Sequence, residues 1–164
     1  MKTKNLFLII CAVFFEYLRD YCFININLLI EYLKILDDGF KAINYTDSFL
    51  LNILENFELE TLIVIKWILS IFFAAVYFIL GILFSNWNFD LEIHKRFLNY
   101  FMISGLALLF LSLIIYSTGK FLSTENQFNF YYVSIELSHF VQSSLYPISF
   151  VLIFWSYNLR TSSN

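Results

Sequence analysis

From Phe97 to Thr118 the chain carries no charged side chain, and from Leu62 to Phe84 it carries only Lys66. A helix of about 20 such residues matches the hydrocarbon thickness of a bilayer, at a rise of about 1.5 Å per residue. Apolar runs of this length leave a soluble fold little polar sequence with which to cover them. The composition agrees: 60% of residues are hydrophobic and 14% are charged, against roughly 25% charged in a typical soluble domain. The chain is therefore expected to be an integral membrane protein.

Two further segments are less pure. Leu6 to Ile24 encloses Glu16, Arg19 and Asp20, and Phe130 to Tyr157 encloses Glu136, His139, Gln142, Ser143, Ser144 and Pro147 before ending in the apolar run Ile148 to Trp155. Taken as spans, they complete an all-α, four-helix membrane bundle forming one domain over residues 1–164. Lys2 and Lys4 ahead of Leu6 to Phe15 imitate a signal peptide, but no small-residue cleavage site follows. Leu8-Ile9-Ile10-Cys11 has bulky Ile10 where a lipoprotein box holds a small residue, so the segment is read as an uncleaved first span. Phe130 to Tyr157 is long enough to cross with tilt.

The extramembrane sequence is concentrated in Asn25 to Thr61. Leu29, Leu33 and Leu36 recur at helical spacing before the stop signal Asp37-Asp38-Gly39, so Asn25 to Leu36 reads as an amphipathic helix or a continuation of the first span. Thr46 or Asp47 can cap a second short helix with Phe49, Leu50, Ile53, Leu54 and Phe57 on one face. Both helices are expected to lie on apolar surface.

Lys2, Lys4, Lys95, Arg96 and Arg160 fall on one side of this topology, and Lys34, Lys41 and Lys120 on the other. By the positive-inside rule both termini are expected to be cytoplasmic, and residues 25–61 outside. Trp67, Trp87 and Trp155 suit the interfacial aromatic belt.

Ionisable side chains inside a span face the bundle interior or water, and usually pair. Glu16, Arg19 and Asp20 share a face at i, i+3 and i+4. Glu136, His139, Ser143 and Pro147 stand at i, i+3, i+7 and i+11. Depth counting sets Glu16, Arg19, Asp20, Lys66, Glu136 and His139 in the outer half of the membrane, and Ser143 continues the stripe of Glu136 and His139, so Glu16, Arg19, Asp20, Lys66, Glu136, His139 and Ser143 form a candidate intramembrane polar cluster. Two readings stand. In one, His139 titrates near neutral pH beside an anion held by Arg19 or Lys66. In the other, the groups satisfy each other: Arg19 bridges Glu16, Asp20 or Glu136, His139 bonds Glu136, and the cluster braces the bundle. A third stripe, Lys66, Ser70, Ala74, Tyr77, Gly81 and Ser85, has the small and polar composition that permits close helix approach.

Several chemistries are disfavoured. The net charge of −3, with no basic run longer than Lys95-Arg96, supplies no nucleic-acid footprint. Cys11 and Cys22 would lie about 16 Å apart on one helix, beyond disulfide reach. Glu136-x-x-His139 has di-iron spacing but lacks its second copy. His94 is on the side opposite His139, which excludes bis-histidine haem. Ser138, Ser143 and Ser144 lie near His139, yet serines commonly serve as hydrogen-bond donors between membrane helices. Asn44-Tyr45-Thr46 is a sequon of the kind that arises by chance. No cofactor and no metal are expected; the expected partners are membrane lipid and another membrane protein.

Three stretches, Phe14-Phe15-Glu16-Tyr17-Leu18-Arg19-Asp20-Tyr21, Asn44-Tyr45-Thr46-Asp47-Ser48 and Glu136-Leu137-Ser138-His139-Phe140-Val141-Gln142-Ser143-Ser144, resemble small multi-pass proteins encoded beside exosortases in Bacteroidota. Exosortases process C-terminal sorting signals with a catalytic cysteine, arginine and histidine. This chain has no cysteine at the depth of His139, so the resemblance implies an accessory role rather than the sorting reaction. The expected function is a partner-binding subunit of such a system. A membrane enzyme with an Arg19, Glu136 and His139 site is the second reading, and a small transporter subunit the third.

Overall fold

A computed structural model describes residues 3–37, 39, 48–54, 56–119, 121 and 124–162, with the side chains of 124–128 and 157–162 left aside. Every regular element among the described residues is an α-helix. They are α1 (Thr3–Asp37), α2 (Phe49–Leu54), α3 (Leu59–Asn88), α4 (Leu91–Gly119), α5 (Thr124–Val141) and α6 (Leu145–Ser162). By length and composition α3 and α4 can cross a membrane, and α5 with α6 qualify only when taken as one bent span. The expected first span is not among the helices apolar enough to qualify, because Glu16, Arg19 and Asp20 interrupt it. The chain divides into two compact units, Met1–Ala12 with Ala74–Asn164, and Val13–Phe73.

In the Val13–Phe73 unit, residues 25–36 do not form a separate helix: α1 continues through them and stops where the sequence signals it. Gly39 takes a left-handed conformation, φ 79°, and its N–H donates to Leu36 O at 3.0 Å, which satisfies one of the carbonyls a helix end leaves open. Thr46 and Asp47 lie outside the described residues. Ser48 caps α2, its hydroxyl accepting the Leu51 N–H at 3.3 Å. The inward face of α2 differs from the expected one. Leu51 and Leu54 are buried with Ile26, Leu29 and Leu62, whereas Phe49, Ile53 and Phe57 are exposed. Leucines at i and i+3 face α1, so the shared core of α1, α2 and α3 selects the face that periodicity left open.

In the other unit, Phe89 and Asp90 turn α3 into α4. The Ser85 hydroxyl, fully buried, lies 2.8 Å from Nδ1 of His94, and Asp90 O accepts the His94 N–H at 2.7 Å. The start of α1 lies at the end of α3: Asn5 and Asn88 exchange amide hydrogen bonds of 2.8 and 3.0 Å, and Lys4 sits 5.6 Å from the Trp87 ring centre. The core is aromatic. Phe97, Phe101, Tyr146, Phe150 and Phe154 stack or meet edge-on with centroids about 5 to 6 Å apart, the geometry favoured by ring quadrupoles.

Four residues of the small-residue stripe of α3 pack inward: Ala74, Tyr77, Gly81 and Ser85 are buried, whereas Lys66 and Ser70 are half-buried. The packing is reciprocal. The ring tip of Phe101 on α4 occupies the place a Cβ at Gly81 would take, and a Cβ at Gly105 on α4 would fall 2.5 Å from Phe78 of α3 and 2.7 Å from the Tyr146 hydroxyl.

Phe130 to Tyr157 is not one helix. It breaks at residues 142–144, and the two halves meet at 71°. The cause is local. Pro147 has no N–H, and its ring would clash with the carbonyl of residue 143 in a continuing helix, whereas in the first turn of a new helix it is well placed. Ser143 O accepts instead from Tyr146 N at 3.3 Å, and Ser144 O from Ile148 N at 3.3 Å. Despite the bend, the halves advance along α4 in antiparallel order. Tyr131 meets Tyr116, Ser134 meets Ser112, Tyr146 meets Phe101 and Ser104, and Phe154 meets Phe97.

Candidate functional site

Helical spacing on α1 brings Glu16, Arg19 and Asp20 together within the Val13–Phe73 unit. One terminal nitrogen of Arg19 stands 2.8 Å from a Glu16 oxygen and 2.8 Å from an Asp20 oxygen, and its Nε lies 3.2 Å from the same Asp20 oxygen. The Arg19 side chain is 16% exposed and that of Asp20 is 54% exposed, so the cation is the more enclosed partner. Two carboxylates on one guanidinium leave this triad with a formal charge of −1. Lys66, half-buried on α3, belongs to the same unit, and its carbonyl accepts the Ser70 hydroxyl at 3.0 Å.

Glu136, His139 and Ser143 belong to the other unit. Glu136 and His139 are exposed on α5, one turn apart, whereas Ser143 is buried in the break. The expected stripe of Glu136, His139, Ser143 and Pro147 assumes a continuous helix, and the break ends it after His139. Ser143 works as a pin instead: its hydroxyl donates to Phe140 O at 2.9 Å and accepts from Leu145 N at 3.3 Å, joining the last turn of α5 to the first of α6. Gln142, also buried, donates to the Ser138 hydroxyl at 2.6 Å.

Besides Asn5 with Asn88, three polar joints are not anticipated by the sequence. Asn25, 6% exposed, donates to Tyr21 O at 2.6 Å and accepts from the Ser48 hydroxyl at 2.6 Å, tying α2 to α1. Tyr146 donates to Phe101 O and lies 2.9 Å from the Ser104 hydroxyl. The buried Ser112 hydroxyl donates to Ser134 O at 2.8 Å, joining α4 to α5. Asparagines and tyrosines inside apolar stretches were the available signal, because a polar atom removed from water needs a partner. Spacing cannot name that partner when it lies on another helix.

Arg19→Ala leaves Glu16 and Asp20 without their shared cation. The expected loss falls between that of an exposed ion pair and that of an enclosed charged hydrogen bond, about 1–3 kcal/mol, read as lower thermal stability in mild detergent. Arg19→Lys should recover only part of it, since an ammonium lacks the planar fork that serves both carboxylates. Equal stability of Arg19→Ala and wild type would remove the triad from any bracing role.

Comparison with protein-family models, with curated proteins and with solved structures gives no match.

Proposed function

We propose that the chain is a multi-pass subunit of a bacterial inner membrane. It crosses four times, through α1, α3, α4 and the bent α5–α6 pair, with both termini cytoplasmic, and it works by binding another membrane protein. The observation that carries the subunit reading is the use made of the enclosed polar side chains. Asn25 with Ser48, Asn5 with Asn88, Tyr146 with Ser104 and Ser112 with Ser134 each join one helix to another, and Arg19 is held by two carboxylates of its own helix. Such joints brace one helix against another. The resemblance to exosortase-associated proteins supplies the class of partner.

The antiparallel progress of α5 and α6 along α4 favours a broken crossing over a loop that re-enters on one side, because a returning segment would meet the same part of α4 twice. Four crossings give a labelling pattern. In a background lacking Cys11 and Cys22, a cysteine placed at Glu58 should react with an impermeant maleimide from outside, and one at Asp90 only after permeabilisation. The reverse pattern would invert the orientation; equal labelling of both sites in intact cells would remove α3 as a crossing. Purification in mild detergent should return the chain with a second membrane protein in fixed ratio. A chain that purifies alone and encloses a small molecule beside Arg19 would favour the enzyme reading instead.

A further inference from the structure

We infer that the exposed face of α5 around Glu136 is the docking point for a transmembrane helix of another protein that carries an arginine or lysine within the bilayer. The inference rests on the subunit reading above and names its surface. Ser134 is bonded to Ser112, and Ser112 lies seven residues inside the Gly119 end of α4, so Glu136 stands roughly 13 Å in from that end at 1.5 Å per residue. A charged carboxylate at that depth is costly, and such groups usually pair with an opposite charge. Among the described residues, no hydrogen bond or ion pair engages Glu136, and it is exposed. Tyr132 and Val133, 59% and 48% exposed, set an apolar and aromatic rim beside it, suited to a helix from the membrane rather than to a soluble protein.

Charge selects the occupant. Inside the proposed spans the acids are Glu16, Asp20 and Glu136 and the fixed cations are Arg19 and Lys66, and Arg19 already serves two acids. A second copy of this chain would bring Lys66 but also three more acids, so the excess of acid would double rather than fall. A different protein with one intramembrane cation could neutralise it.

The test uses the full chain reconstituted in phosphatidylcholine vesicles and a labelled alanine-leucine helix of about 20 residues with tryptophan ends. One version of this probe has arginine in the half of the bilayer that holds the Gly119 end of α4, a second has arginine in the opposite half, and a third has leucine throughout. Energy transfer should show the first associating about tenfold more tightly than the other two, and Glu136→Gln should abolish the preference. Glu136→Gln should also leave the detergent melting of the isolated chain unchanged, unlike Arg19→Ala. Equal association of all three probes, or a preference that survives Glu136→Gln, overturns the docking point. A melting loss in Glu136→Gln overturns it too, by making the carboxylate an internal brace. If the native partner still co-purifies with Glu136→Gln, the docking point fails while the subunit reading stands; if no partner accompanies even the wild type, the subunit reading fails.

Discussion

Phe101→Ala is expected to lower stability by about 3–5 kcal/mol, the range for removing a buried aromatic side chain. Phe101 is fully buried. Its ring stacks on Tyr146 at 4.9 Å and on Phe97 at 5.3 Å, and meets Phe78 and Phe150 edge-on at 5.7 and 5.3 Å. Truncation leaves a cavity walled by four rings that hold one another in place, so it cannot easily collapse. In a membrane the transfer term is small, because lipid tails are as apolar as the core, and the loss is one of packing; the lower half of the range is the better expectation. Phe110 on the same helix is the control. It is 66% exposed, and Phe110→Ala should change stability by no more than about 0.5 kcal/mol. Thermal unfolding of both variants in one detergent decides the matter, and similar losses would mean that the aromatic stack does not organise α4 and α6.

Gly81→Leu is expected to do comparable damage by the opposite route. A Cβ at residue 81 would overlap the Phe101 ring tip, and that ring has no free direction because Tyr146 and Phe97 flank it. Overpacking of one or two carbons typically costs about 1–3 kcal/mol; Gly81→Ala belongs in that range, and the larger leucine at or above its top. The two predictions are coupled. Phe101→Ala opens the space that a leucine at 81 would need, so the double variant should be more stable than the sum of the single losses implies, by about 0.5–3 kcal/mol. Strict additivity would show that α3 and α4 do not meet at this pair, and with it the close approach assigned to the small-residue stripe would fall.

Much of this architecture can be read from the chain, and the reason is physical. A helix satisfies its main-chain polar groups within itself, so long uncharged stretches can be little else in an apolar surrounding; α3 and α4 follow from that. The inward turn of Ala74, Gly81 and Ser85 follows from their 3.6-residue spacing and small volume. The end of α1 follows from Gly39, whose left-handed conformation few other residues adopt.

The polar candidates were legible only as candidates. Arg19 could be matched by spacing to Glu16 or Asp20 and by depth to Glu136, and it is Glu16 and Asp20, on its own helix, that lie 2.8 Å from it. Glu136 and His139 keep their one-turn spacing on α5, but Ser143 leaves their stripe at the break. Pro147 reads in the sequence as part of one continuous stripe, because a membrane helix can absorb a proline as a kink. Whether it kinks or divides the helix depends on which groups take up the released main-chain bonds, and here the Ser143 hydroxyl does so from both sides.

What the sequence by itself determined, then, is the helical class, two apolar helices of crossing length, the helix end at Gly39 and the faces along which small residues let helices approach, because each depends on residues within one or two turns of each other. Only the tertiary structure decided that Phe101 fills the notch at Gly81, that Ser48 meets Asn25 across 23 positions, that Leu51 rather than Phe49 faces the core, and that Phe130 to Tyr157 is two helices at 71°. These depend on contacts between residues far apart in the chain, and local periodicity carries no information about which of several suitable partners a side chain will meet.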